Sequence, residues 1–154
     1  MPLTDIFTRC TRPNGEKPLK ANMLYTSVKS PYAFYCDLFV DPKFKDPITQ
    51  FQQFQWERGQ THEKQVLEKE HPGMEKIAFA DDMEGFRYLL ERMAQGGSAF
   101  GGMPIFWLPE SLSGRVDLLE KARGPSVFGK HHYIVKEVKV AKNIRQEHII
   151  QAAF

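Results

Sequence analysis

The sequence predicts one α/β domain with a mixed central sheet flanked by helices. Helix-period stripes dominate residues 31 to 95, strand-like runs fill 99 to 140, and a last helical stripe follows. Helices, then a strand meander, then a closing helix give a mixed sheet with helices packed on it. With 154 residues the chain is long enough to bury one sizeable core.

Residues 1 to 21 read as a flexible basic lead-in, because Thr11-Arg12-Pro13-Asn14-Gly15-Glu16-Lys17-Pro18 is turn-rich and has no period. The domain proper is expected over residues 22 to 154. Met23-Leu24-Tyr25 reads as a short extended piece, and Thr26 or Ser27 as the cap of a turn. Pro31 then opens a helix carrying Tyr32, Phe34, Tyr35 and Leu38. Asp46-Pro47 is an N-cap followed by proline at the first helical position. From it Ile48, Phe51, Phe54, Gly59, His62 and Val66 form one stripe of a long helix that ends near His71-Pro72-Gly73.

Glu75 to Ala80 reads as a short strand. Asp81 with Glu84 resembles a capping box, Phe86, Leu89, Leu90 and Met93 give the next helix its core face, and Gly96-Gly97 closes it. Ala99 to Leu108 is apolar but glycine-interrupted, so a strand kinked near Gly101-Gly102 is expected. Gly114 to Lys121 is the next strand, with a loop beginning at Gly124-Pro125-Ser126. His131 to Val140 is another strand, and Asn143 to Phe154 a closing helix with Ile150, Ala153 and Phe154 on one stripe.

Bulk properties exclude little. A formal charge of +2 leaves any affinity for nucleic acid to local patches. Two cysteines, Cys10 and Cys36, are too few for a disulfide framework or a four-cysteine zinc site, which points to a reducing, cytoplasmic setting. No apolar run reaches membrane-span length, and Met1-Pro2-Leu3-Thr4-Asp5 lacks the start of a signal peptide.

The chemistry concentrates in two strands. Tyr133, Val135, Glu137 and Lys139 share one strand face, and Asp117 alternates with Val116 and Leu118 on another strand. If the strands are neighbours, Asp117 and Glu137 can converge on one divalent cation, and their hard oxygens suit magnesium or manganese rather than zinc. Lys139, roughly 7 Å further along the face, can then contact the attacking water or the scissile phosphate. His62 can add a nitrogen ligand and tilt the preference to manganese, with Gly59 letting its helix approach the sheet closely. The plain alternatives are a solvated Glu–Lys pair and a core-edge histidine bonded to a carbonyl.

Trp56-Glu57-Arg58-Gly59-Gln60-Thr61-His62-Glu63, Gly114-Arg115-Val116-Asp117-Leu118-Leu119, Glu137-Val138-Lys139 and His148-Ile149-Ile150-Gln151 occur in that order. Together they resemble the RecB-type nucleases of the PD-(D/E)XK superfamily, in particular stand-alone predicted RecB-family nucleases related to the CRISPR-associated RecB-like exonucleases. Ser30 to Leu38 also resembles those proteins' N-terminal helix, and the resemblance spans roughly residues 23 to 154.

The resemblance implies a restriction-endonuclease-like core and metal-dependent hydrolysis of DNA phosphodiester bonds. Its metal, Mg2+ or Mn2+, would sit on His62, Asp117, Glu137 and the carbonyl of Val138, with Lys139 the catalytic lysine. Gln151 would be the glutamine of the family's Q-x-x-x-Y motif and help position substrate. The matching tyrosine would fall at position 155, past Phe154, so the closing helix is expected to be incomplete. That leaves an inactive domain that binds nucleic acid or a protein partner as the alternative function. The relatives' iron–sulfur cluster uses one early and three late cysteines. Here Ser30 stands at the early position and no late cysteine exists, so no cluster is expected. DNA is the implied partner, with a helicase or a CRISPR or repair protein as an unidentified companion.

Other features carry less. Lys136, Lys142 and Arg145 can track a DNA backbone or simply face solvent. His131-His132 can meet a phosphate or stand at a strand edge without a role. Tyr32, Tyr35, Phe51, Phe54 and Trp56 can stack bases in a single-strand groove, although their helical spacing equally fits a core. The glycine pairs match neither a dinucleotide nor a P-loop signature.

Overall fold

A computed structural model describes residues 2–141 and 143–153. Its centre is a long strand, β3 (Leu112–Ser126), antiparallel to β2 (Ala99–Trp107) along one edge. The other edge is shared. β1 (Leu19–Lys20) pairs parallel at Leu112 and Ser113, and β4 (Gly129–Lys136) pairs antiparallel from Leu118 to Ser126. The sheet is therefore mixed, with helices about it, as the order of sequence patterns predicts.

The main core lies between this sheet and two helices, α1 (Leu3–Thr11) and α5 (Asp82–Gln95). Ile6, Phe86, Leu89, Leu90, Phe100, Met103, Val116 and Leu119 are buried together there. The lead-in expectation fails at α1. Leu3, Ile6, Phe7 and Cys10 recur at three- and four-residue spacing and pack into the core, a stripe hidden by the aperiodic residues that follow it. Met23-Leu24-Tyr25, expected to be extended, lies inside α2 (Ala21–Lys29); only Leu19 and Lys20 pair as a strand.

Ser30 caps α3 (Pro31–Phe39) by accepting from Ala33 N at 3.3 Å, with Pro31 at its first position as predicted. α4 (Gln50–Glu70) begins later than Asp46-Pro47 suggests, because Thr49 and Gln52 form a reciprocal capping box. Its end before His71 agrees with the sequence. Its apolar stripe does not: Phe51, Phe54 and Trp56 are each more than half exposed, as are Tyr32 and Tyr35. Only Leu67 is buried, in a second cluster with Ala99 and Leu118, against which Met74 and Val138 pack.

Glu75 to Ala80 is not a strand; Glu75 makes one bridge to Phe100, and the Phe79 ring lies against Gly85. At α5, Asp81 accepts from Glu84 N at 2.9 Å, but the Glu84 carboxylate takes the N–H of Ala80, not Asp81. Gly96, in the left-handed region at φ 81°, ends the helix. β3 runs on through Gly124-Pro125-Ser126 with an irregularity between Arg123 and Ser126, and β4 ends at Lys136, four residues before the expected Val140. α6 (Gln146–Ala153) falls within the closing stripe. No helix of the described residues is long and apolar enough to cross a membrane.

Candidate functional site at a break in the sheet

Between the end of β1 at Ser113 and the start of β4 pairing at Leu118, no described strand pairs with that edge of β3. The residues in the break are Gly114, Arg115, Val116 and Asp117. On the opposite edge β2 kinks at the same level. The paired register steps from Gly101↔Leu118 to Met103↔Val116, leaving Gly102, at φ +65°, opposite Asp117. Gly101 carries the Met74 side chain so closely that a Cβ would stand 2.2 Å from its sulfur. The kink interrupts strict alternation: Val116 and Leu119 both join the α5 core, whereas Leu118 joins the cluster beneath α4. Glycines in β2 thus set how β3 presents Asp117.

Beyond the last pairing of β4 the chain stays beside β3 through a side-chain bond. The backbone N–H of Val138 donates to Asp117 Oδ2 at 2.7 Å, and the Val138 side chain packs on the Leu67–Leu118 cluster. Residues Glu137 and Lys139 flank this anchor and form an ion pair with each other. Glu137 is well covered, with a side chain 14% exposed. From the other side α4 contributes Glu63, partly buried.

These groups perturb one another. Burial pushes the Asp117 carboxyl up to about 6; the charges of Glu137 and Glu63 push the same way, and the Val138 N–H and Lys139 oppose them. Burial raises Glu63 as well, helped by Glu137 and opposed by Lys139. Three carboxylates facing one ammonium carry an excess of negative charge in a partly desolvated site, which favours a proton or a cation there.

The donor chemistry fits a hard divalent cation. Among the described residues, however, no three His, Cys, Asp or Glu side chains stand close enough together to hold one ion. Glu137 is engaged by Lys139, and one oxygen of Asp117 by Val138. His62 is half-buried and lines a cavity of about 380 Å³ with Phe54, Glu57, Arg58 and Val140, a lining that includes neither Asp117 nor Glu137. The close approach expected at Gly59 is not made either: nothing lies within 4 Å of where its Cβ would be.

Glu63 is the α4 residue that acts on Asp117 and Glu137, and reading the stripe through His62 and Val66 passed over it. The available signal was Leu67, one helical turn after Glu63 on the same face; Leu67 is the residue α4 buries.

Gln151 lies on α6, which is tied to α2 by the Lys29–Glu147 ion pair at 3.0 Å and by Tyr25 stacking on His148. That docking brings Gln151 to a pocket of about 410 Å³ at the break, with Lys20, Asn22, Ser113, Gly114 and Arg115. Lys136 pairs with Glu120, and Arg145 is exposed with its backbone N–H bonded to His148 Nδ1. Lys142 lies outside the described residues. His131 donates its Nε2–H to the Met93 carbonyl, 2.9 Å away, at the last turn of α5. Comparison with protein families, with curated proteins and with solved structures gives no match to this chain.

Proposed function

We propose that the protein is a divalent-metal-dependent nuclease that hydrolyses DNA phosphodiester bonds on a restriction-endonuclease-like core of the RecB type. The observation that carries this reading is the meeting of Asp117, Glu137, Lys139 and Glu63 at the sheet break, anchored by the Val138–Asp117 bond. Carboxylates that raise one another's pKa in a partly buried site are characteristic of a place built for a cation.

Asp117 and Glu137 would hold Mg2+ or Mn2+, and the ion would supply Lewis acidity and a more acidic water. Lys139 has three donors and no acceptor, so within this cluster it suits a phosphate oxygen or the attacking water. Asp117 is held in one orientation by Val138, which leaves its other oxygen available. Gln151 reaches the pocket beside Arg115, where a substrate strand leaving the carboxylates would pass. The protein's two cysteines would suit a reducing cytoplasm, and a helicase or a CRISPR or repair protein would be its companion on DNA.

Purified protein is expected to cleave DNA with manganese, and Asp117→Ala and Lys139→Ala to lose at least a hundredfold in rate. Unchanged cleavage in both variants would sink the assignment. One observation favours the second reading, a domain that binds without cutting: Glu137 is already paired with Lys139. DNA binding with no manganese-dependent cleavage by the unaltered protein selects it.

A further inference from the structure

We propose that the pocket at the sheet break is a phosphate subsite, in which Lys20 and Arg115 hold the backbone of the DNA strand next to the carboxylate site. The inference rests on the nuclease reading for its ligand and adds residues that the family resemblance does not supply.

Three observations converge on it. The first is position. Arg115 and Asp117 are two residues apart on β3, about 7 Å along the strand, and both fall in the stretch left unpaired between β1 and β4.

The second is charge. Lys20 ends β1, is exposed, and makes no ion pair among the described residues. Arg115 lies over the Phe79 ring, 5.4 Å from its centre, and bonds Asp82 through Nη2. That contact uses one of the five guanidinium N–H donors and fixes the plane of the others. The Arg115 side chain also lines the neighbouring cavity that contains Glu63, so it bridges the pocket and the acidic cluster.

The third is the complement of neutral donors. Asn22, Ser113 and Gln151 line the same pocket, as does the Asp82 carboxylate, which Arg115 bonds and so offsets. The first turn of α2 opens there, and no side chain caps it, so its backbone N–H groups add to the field that Lys20 and Arg115 create. A cavity of about 410 Å³ with this lining accommodates a phosphate and its sugar. A strand whose phosphate sits here runs along β3 toward Asp117.

The test is fluorescence anisotropy with a labelled oligodeoxynucleotide in chelator, across a salt series, beside a manganese cleavage assay. Lys20→Ala is expected to weaken binding about fivefold to tenfold and to lower the slope of log affinity against log salt by about 0.7, one phosphate contact on a single strand. Lys130→Ala, at another exposed lysine on the β4 hairpin, should change neither. Lys20→Gln should repeat the effect at an unchanged melting temperature, which separates a lost contact from a damaged fold. Affinity and slope equal to those of the unaltered protein in both Lys20 variants overturn the subsite. Cleavage that persists alongside that result leaves the nuclease reading standing; no binding by the unaltered protein overturns both.

Discussion

The Val138 backbone N–H lies 2.7 Å from Asp117 Oδ2, so an acid on one strand, and not a ladder bond, holds the end of the next strand in place. This bond stabilises the ionised form of Asp117, whereas burial and the neighbouring carboxylates destabilise it, and the balance leaves the group near 6.

Asp117 therefore costs stability above its own pKa. Its value rises on folding from 3.8 to about 6, so the native state binds more protons than the unfolded chain in that window. Stability is then highest below pH 4 as far as this group is concerned, and falls as pH rises to 6. Asp117→Asn can keep the Val138 bond and removes the charge. In chelator at pH 7.5 it is expected to be more stable by about 1–2 kcal/mol, allowing for solvent screening of a partly exposed group. Denaturant melts at pH 7.5 and pH 4 check this: the gain should vanish at the lower pH.

Glu63→Gln removes one of the charges that raise Asp117. The pH below which manganese ceases to raise the melting temperature should move downward. The size of that rise at pH 7.5 should shrink, since one anionic oxygen is lost. Calorimetric titration of manganese into both proteins across pH measures the two effects separately, and a midpoint that stays put would remove Glu63 from the site.

Gly102 tests the kink in β2. Open space surrounds its Cβ position, yet its φ is +65°, so the cost of Gly102→Ala is backbone strain alone, about 1 kcal/mol. A fall in melting temperature of about 3 °C follows for a domain of this size. Manganese response should fall with it, because Gly102 stands opposite Asp117.

Phe51→Ser and Leu67→Ala contrast the two halves of α4. Phe51 is 67% exposed and Leu67 is 6% exposed. The first change should cost under about 0.5 kcal/mol and the second about 2–5 kcal/mol, by the usual penalties for surface and core truncation. Chemical denaturation of both variants decides whether α4 is anchored only near its end.

The sequence made the centre of this molecule legible and its edges less so. Asp117 and Glu137-x-Lys139 lie on adjacent segments because alternation and glycine punctuation are local signals, and the kink at Gly101-Gly102 could be placed for the same reason. α1 escaped because Leu3, Ile6 and Phe7 form a short stripe beside an aperiodic tract. His62 and Glu63 are sequence neighbours, and only tertiary packing through Leu67 determines which of them turns toward Asp117. The aromatic spacing of Phe51 and Phe54 fits a buried stripe, but a periodic pattern does not say whether anything lies against it.

The break in the sheet also bears on how this chain behaves among copies of itself. An exposed strand edge can recruit a second strand in proportion to its unpaired length. Here β1 and β4 cover the edge of β3 on either side and leave four residues, Gly114 to Asp117. One of the four is glycine and two are charged, and the backbone of the Val138 segment already lies against the last. The opening is too short and too polar to seed strand exchange between molecules, so the fold can keep a gap in its central strand without inviting aggregation there.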